Sequence, residues 1–197
     1  MNLYLLRHGE SEDNVKRIFS RPSCSLTEKG KKEILSIGEV LKEIDFEGIF
    51  ISPYQRTLES AQLLPNNLGK KKEILEEIHE ISFGTFSGLS YKEILEKYPK
   101  EGKTWFEDPF KNSPPDGESI EDAFQRISTL VDNWKMLKGN YLAITHDGVI
   151  RLIICSILED LHQYFKFHIG NGSLTLCHLE KDFSYISQLS YKKVTTI

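Results

Sequence analysis

The chain has 197 residues, 39% of them hydrophobic, with 25 Lys and Arg against 29 Asp and Glu and a formal net charge of −4. A chain of this length hides roughly 70% of its unfolded surface in one core, so a single domain over residues 1–197 is expected. The mildly acidic balance excludes the basic footprint that a nucleic-acid or anionic-membrane partner demands.

No stretch approaches the roughly 18 apolar residues of a membrane helix, and the N-terminus lacks the pattern of a secretory leader. A cytoplasmic location with no membrane partner follows as the expectation. Cys24, Cys155 and Cys177 are odd in number and widely spaced, which suits reduced thiols and provides no zinc or disulfide pattern.

Leu3 to Leu6 is a short apolar run, the pattern of a strand covered on both faces, and it ends abruptly in Arg7 and His8. Thr27 is a helix N-cap, and Ile34, Ile37, Leu41 and Ile44 recur at spacings of three and four, one buried helix face. Gly48 to Ile51 is a second strand. Ser52 and Pro53 then read as an N-cap and a first-turn proline, which puts Arg56 in the first turn of the next helix.

The segment Tyr98 to Gly117 is rich in Pro, Lys and Asp yet holds Trp105, Phe106 and Phe110, so it reads as a loop-like excursion inside the domain. Ser119 and Asp122 form a capping box for a helix carrying Ile120, Ala123, Phe124, Ile127, Leu130, Val131 and Trp134. Tyr141 to Thr145 is a third strand. It runs into His146, Asp147 and Gly148 and an apolar helix from Val149 to Leu158, and two β-like runs, Ser173 to Leu179 and Tyr185 to Tyr191, follow.

Strands alternating with helices predict a three-layer α/β/α sandwich around a mostly parallel sheet. Ligands of such sheets bind beyond the carboxyl ends of the strands, where Arg7, His8, Arg56 and His146 all emerge. Two guanidiniums aimed at one crevice call for an anion between them, and their planar forks match phosphate oxygens. A neutral imidazole can attack phosphorus, while a second, protonated one can donate to a phosphoryl oxygen. The leaving alkoxide still needs a proton donor, a part usually taken by a carboxylic acid in a partly apolar pocket.

These residues carry a resemblance. Leu5-Leu6-Arg7-His8-Gly9-Glu10-Ser11 resembles the N-terminal signature of the histidine phosphatase superfamily, also called phosphoglycerate mutase-like. Leu26-Thr27-Glu28-Lys29-Gly30, Ser52-Pro53-Tyr54-Gln55-Arg56-Thr57, Glu80-Ile81-Ser82-Phe83-Gly84 and Thr145-His146-Asp147-Gly148-Val149-Ile150-Arg151 are similar to its later blocks, in family order.

The resemblance implies a phosphoglycerate mutase-like fold and a metal-independent phosphomonoesterase that needs no cofactor and works through phosphohistidine. His8 would be the nucleophile, Arg7, Arg56 and His146 the phosphoryl-binding groups, Asn14 a neutral donor and Glu80 the proton donor. Asp147 replaces a small residue of the family; a carboxylate there either turns outward, reshapes specificity or meets a cationic part of the substrate.

The implied partner is a small phosphorylated metabolite bound by a monomer or homodimer, without nucleic acid. The chain lacks the extended insertion and the Gly-Leu-Asn-Lys run of the cofactor-dependent mutases, reading Gly88-Leu89-Ser90-Tyr91, and its Asp-Gly-Glu-Ser stretch looks most like the alpha-ribazole and broad-specificity phosphatases. The alternatives are a phosphoglycerate mutase and a non-catalytic phosphate-binding member of the same fold.

Overall fold

In the computed structural model, which describes residues 1–192, the apolar runs become one six-stranded sheet. Its strands are β1 (Asn2–Arg7), β2 (Gly48–Ile51), β3 (Lys72–Ile74), β4 (Asn140–Thr145), β5 (Leu174–Leu179) and β6 (Ser184–Tyr191), in the spatial order β3-β2-β4-β1-β5-β6. The four strands from β3 to β1 are parallel, and β5 runs antiparallel to both its neighbours. The helices are α1 (Glu12–Lys16), α2 (Glu28–Leu41), α3 (Gln55–Leu63), α4 (Tyr91–Lys97), α5 (Pro99–Glu107), α6 (Ile120–Trp134) and α7 (Asp147–Leu158).

Side chains of a strand alternate between faces, and the two apolar layers sort accordingly. Leu3 and Leu5 of β1, with Ala143 of β4, face Ala123, Ile127 and Val131 of α6 and Val149, Ile150 and Ile153 of α7. Leu6, Leu142, Ile144 and Ile49 face Ile34, Ile37 and Leu41 of α2 on the other side, with α3 beside it. This is the expected three-layer sandwich. Leu3, Leu5 and Leu6 are wholly buried, which explains the unbroken apolar run, and truncating one to alanine costs roughly 2–5 kcal/mol.

The predicted caps of α2 and α6 form: Thr27 accepts from the Gly30 amide at 3.0 Å, and Ser119 and Asp122 complete their box. Two expectations change. The region read as a loop-like excursion contains α5, with Pro99 in its first turn where a missing N–H costs nothing. Trp105 of α5 is buried against Phe86 and Ile94, with Phe19, Phe83 and Phe106 around them, in a separate aromatic cluster. The second change concerns Ser52: α3 starts at Gln55 behind Tyr54, which gives no side-chain cap, and the Ser52 hydroxyl is used elsewhere.

Candidate active site

Strand register assembles the site. Parallel pairing sets Arg7 opposite Thr145 and Ile51 opposite Ile144, so β1, β4 and β2 end at one level. Backbone bonds extend that level past the strands, from the His8 amide to Thr145 O and from the Ser52 amide to Ile144 O, each 3.0 Å. His8 and His146 therefore leave adjacent strands side by side, ring centroids 5.3 Å apart. Arg56, in the first turn of α3, is buried beside them.

The loop after β1 is held by close backbone packing. A Cβ on Gly9 would fall 2.2 Å from Gly30 O, and one on Gly30 would fall 2.1 Å from Glu10 O, so both positions admit only glycine. The N-terminus of α2 thus seats directly on the loop that follows His8. The signature glycine and the glycine after the Leu-Thr pair are one contact.

His8 has a defined orientation. Its Nδ1 lies 2.7 Å from the carbonyl of Gly9, an acceptor, so Nδ1 carries a proton. Its Nε2 then holds a lone pair, which accepts from Arg56 Nε–H at 3.1 Å. Burial first, then the guanidiniums of Arg56 and Arg7, hold the His8 imidazole well below its ordinary pKa, so it is neutral at pH 7. Arg56 Nη1 donates to Arg21 O at 3.0 Å, and Arg7 Nη1 donates to Ile169 O.

His146 is oriented by Ser52, whose Oγ is 2.7 Å from Nε2. With the hydroxyl donating there, the ring proton sits on Nδ1, which is buried and has no partner among the described residues; Arg7 Nε is in the same condition. Two buried orphan N–H groups at one strand edge suit an oxyanion. Burial, followed by Arg56, His8 and Arg7, keeps the His146 pKa well below its ordinary range. With Ser52 donating to Nε2, the neutral ring already presents an N–H at Nδ1, so His146 needs no second ring proton to act as a donor.

Glu80 arrives from the far edge of the sheet. Beyond β3 the chain turns back through a short helical turn at Glu76–Ile78, and the Thr145 hydroxyl captures Ile78 O at 2.8 Å. Arg126 of α6 donates to Glu77 O and, at 3.3 Å, to His79 O, while its fork binds Glu118, which accepts from the Ser82 amide at 3.0 Å. Glu80 Oε1 accepts from the Ile81 amide at 3.0 Å and lies 2.5 Å from where a Gly148 Cβ would stand, so a side chain there would displace it. Loss of hydration raises the Glu80 pKa above the usual carboxylate value, opposed by Arg56 and reinforced by Asp147.

Asn14 belongs to the cap of α1. Its Oδ1 accepts from the Ser11 amide at 3.1 Å and from Asn171 Nδ2 at 2.9 Å, which leaves its own amide N–H groups as the available donors. Asp147 turns toward Arg151 on the next turn of α7, with Nε to Oδ1 at 2.9 Å and Nη2 to Oδ2 at 2.8 Å. The structure brings Arg7, His8, Arg56, His146 and Glu80 together. Sequence reasoning missed Ser52, Thr145, Arg126 and Asn171, each of which acts through a hydrogen bond between distant segments.

Over residues 3–191 the chain matches the family described as "Histidine phosphatase superfamily (branch 1)". It belongs to that superfamily and is a phosphatase of the histidine phosphatase type. Phosphoserine phosphatase 1 of Hydrogenobacter thermophilus is 30% identical over 96% of this chain and 92% of its own length. A phosphoglycerate mutase of Schizosaccharomyces pombe is 32% identical over 94% and 93%. Among solved structures, alpha-ribazole phosphatase of Shigella flexneri superposes with a TM-score of 0.91 at 21% identity, covering 100% of each chain, which establishes the fold.

Proposed function

We propose that the protein hydrolyses a small phosphorylated metabolite through a phosphohistidine on His8, without a metal ion. The observation that carries this reading is the His8 ring: a neutral imidazole, its Nδ1–H held by Gly9 O, with the Nε2 lone pair directed at Arg56 in a pocket of unpaired N–H donors. Arg7, Arg56, the His146 Nδ1–H and the Asn14 amide bind the phosphoryl oxygens, and the arginines neutralise charge where a magnesium ion does so elsewhere.

As the anion binds, Arg56 Nε–H turns from His8 Nε2 to a phosphoryl oxygen and frees the nucleophile. The Nε2 lone pair forms the N–P bond while the P–O bond to the leaving group breaks, and Glu80 gives its proton to the departing oxygen. Glu80, now a carboxylate, takes a proton from water, whose oxygen bonds to phosphorus as the N–P bond breaks. The Nδ1–H to Gly9 O bond spreads the positive charge of the phosphorylated ring. A raised Glu80 pKa and a lowered His8 pKa set the two groups in complementary states near neutrality.

The experiment is phosphate release from p-nitrophenyl phosphate and a panel of sugar phosphates in EDTA. Turnover is expected, and no release from any of them would remove the hydrolase reading. A second reading, phosphoglycerate mutase, is favoured by the fission-yeast relative: its similar length means that chain length does not separate the two activities. Conversion of 3-phosphoglycerate to 2-phosphoglycerate, only when primed with bisphosphoglycerate, would select it.

A further inference from the structure

Next to Glu80 along the chain, Ile81 lines a cavity of about 290 Å³ whose walls are Phe19, Phe83, Trp105, Phe106, Tyr164 and Phe165. Tyr164 connects it to the chemistry, since its hydroxyl and Glu80 Oε1 lie 3.0 and 2.5 Å from the same point above Gly148. The proton donor faces the leaving oxygen, so this cavity receives the organic part of the substrate.

The charged residues lining the cavity are Arg151 and Glu118. Each is already matched in a two-pronged ion pair, Arg151 by Asp147 and Glu118 by Arg126. The Arg151 guanidinium also lies over the Tyr164 ring, 5.7 Å from its centroid, which fixes it against the cavity wall. Without Asp147 the guanidinium would be a free fork at the mouth of an apolar pocket, a ready site for a carboxylate. With Asp147 present the wall is aromatic and electrically compensated.

We infer that Asp147 is a specificity-determining residue: by occupying Arg151 it makes the leaving-group cavity select phosphomonoesters with an uncharged aromatic group and reject those bearing a carboxylate. A carboxylate in the cavity would lose its hydration, find no unpaired cation among the described lining residues and lie close to Asp147 and Glu118. An aromatic ring would stack against the walls and leave both ion pairs intact. This rests on the phosphomonoesterase reading above.

The test compares kcat/KM for 2-phenylethyl phosphate and 3-phosphoglycerate, two alcohol leaving groups that need the same acid. The wild-type enzyme is expected to favour 2-phenylethyl phosphate by about tenfold or more, the scale of a single methylene in a hydrophobic pocket. Asp147→Asn, which frees Arg151, is expected to lower that ratio about tenfold through a smaller KM for 3-phosphoglycerate. Any effect of the lost charge on Glu80 acts on both substrates and cancels in the ratio. Phe165→Ala removes a ring that is 58% exposed and is expected to raise KM for 2-phenylethyl phosphate severalfold, with little change for 3-phosphoglycerate. Equal use of both substrates by the wild type, or an unchanged ratio in both variants, overturns the inference while the hydrolase reading stands. No phosphate from either substrate removes the hydrolase reading itself.

Discussion

The Ser52 hydroxyl, at the carboxyl end of β2, lies 2.7 Å from Nε2 of His146, at the carboxyl end of β4. Both groups are buried, and the bond takes up Nε2 of His146 and leaves Nδ1 without a partner among the described residues. Ser52→Ala is expected to fold and to lose about tenfold or more in kcat/KM for every phosphomonoester, because the Nδ1–H donor is no longer preorganised. The stranded Nε2 should also cost about 1–3 kcal/mol of stability. Steady-state kinetics with urea unfolding checks both, and unchanged kinetics would detach Ser52 from His146 function.

That relationship marks how far the chain could be read before its structure was known. Five strands were visible as short apolar runs and the long helices by apolar residues at spacings of three and four, whereas β3 (Lys72–Ile74) was not, because its Lys-Glu-Ile carries no apolar run. Arg7, His8, Arg56 and His146 were visible because they follow strand ends or open a helix, positions set by local sequence. Ser52 sent the reading astray for a physical reason: a serine before a proline satisfies the rule for a cap, while its actual acceptor is 94 residues away. Trp105 was visible as a buried aromatic but its helix was not, since Pro99 and the charges of α5 resemble a loop. The Arg126 fork on Glu118 that positions Glu80 has no local signature at all.

His8→Ala removes the Nε2 lone pair that Arg56 holds. Phosphate release is expected to fall to background, and the acid-labile, alkali-stable phosphoryl label on the wild-type protein is expected to vanish. Rapid quench with a radiolabelled phosphomonoester checks the label, and its persistence would move the nucleophile to another residue.

In the proposed mechanism Glu80 is an acid only while protonated, and burial raises its pKa, so its contribution is expected at lower pH and is lost as pH rises through that value. As the proposed nucleophile, His8 would react only while neutral, and its lowered pKa places that loss on the acid side. A bell-shaped kcat/KM profile is expected for an alkyl phosphate. The basic limb should weaken for p-nitrophenyl phosphate, whose leaving group needs no proton. Glu80→Gln should accordingly cost about 10²–10⁴-fold with the alkyl ester and far less with the nitrophenyl ester; equal losses would assign the acid elsewhere.

His8 and His146 are buried and neutral in the folded chain, whereas in the unfolded chain each titrates near pH 6.5. Below that pH the unfolded state binds more protons, so stability is retained above about pH 6.5 and lost as pH falls. Each ring contributes a loss of about 1.4 kcal/mol per pH unit until its folded-state pKa is reached. Urea midpoints measured at pH 7.5, 6.5 and 5.5 should decline mostly across the lower interval. Glu80, whose raised pKa adds stability as pH falls, opposes that decline, so the series is run on Glu80→Gln as well, where a flat result would mean that the rings accept protons in the folded protein.

The Gly9–Gly30 contact joins the loop after His8 to the first turn of α2, and it is backbone against backbone, so nothing flexible can move aside. A methyl group at residue 30 would stand 2.1 Å from Glu10 O, and relief requires the loop or the helix to shift. Gly30→Ala is therefore expected to cost at least about 1–3 kcal/mol although alanine is the better helix former. At about 2–4 °C per kcal/mol for a chain of this size, the loss is legible in a thermal melt. Because the displaced loop carries the Gly9 carbonyl that holds His8 Nδ1–H, kcat should fall with stability rather than independently of it. A variant that melts early yet keeps full kcat at 20 °C would show that His8 is oriented without this contact.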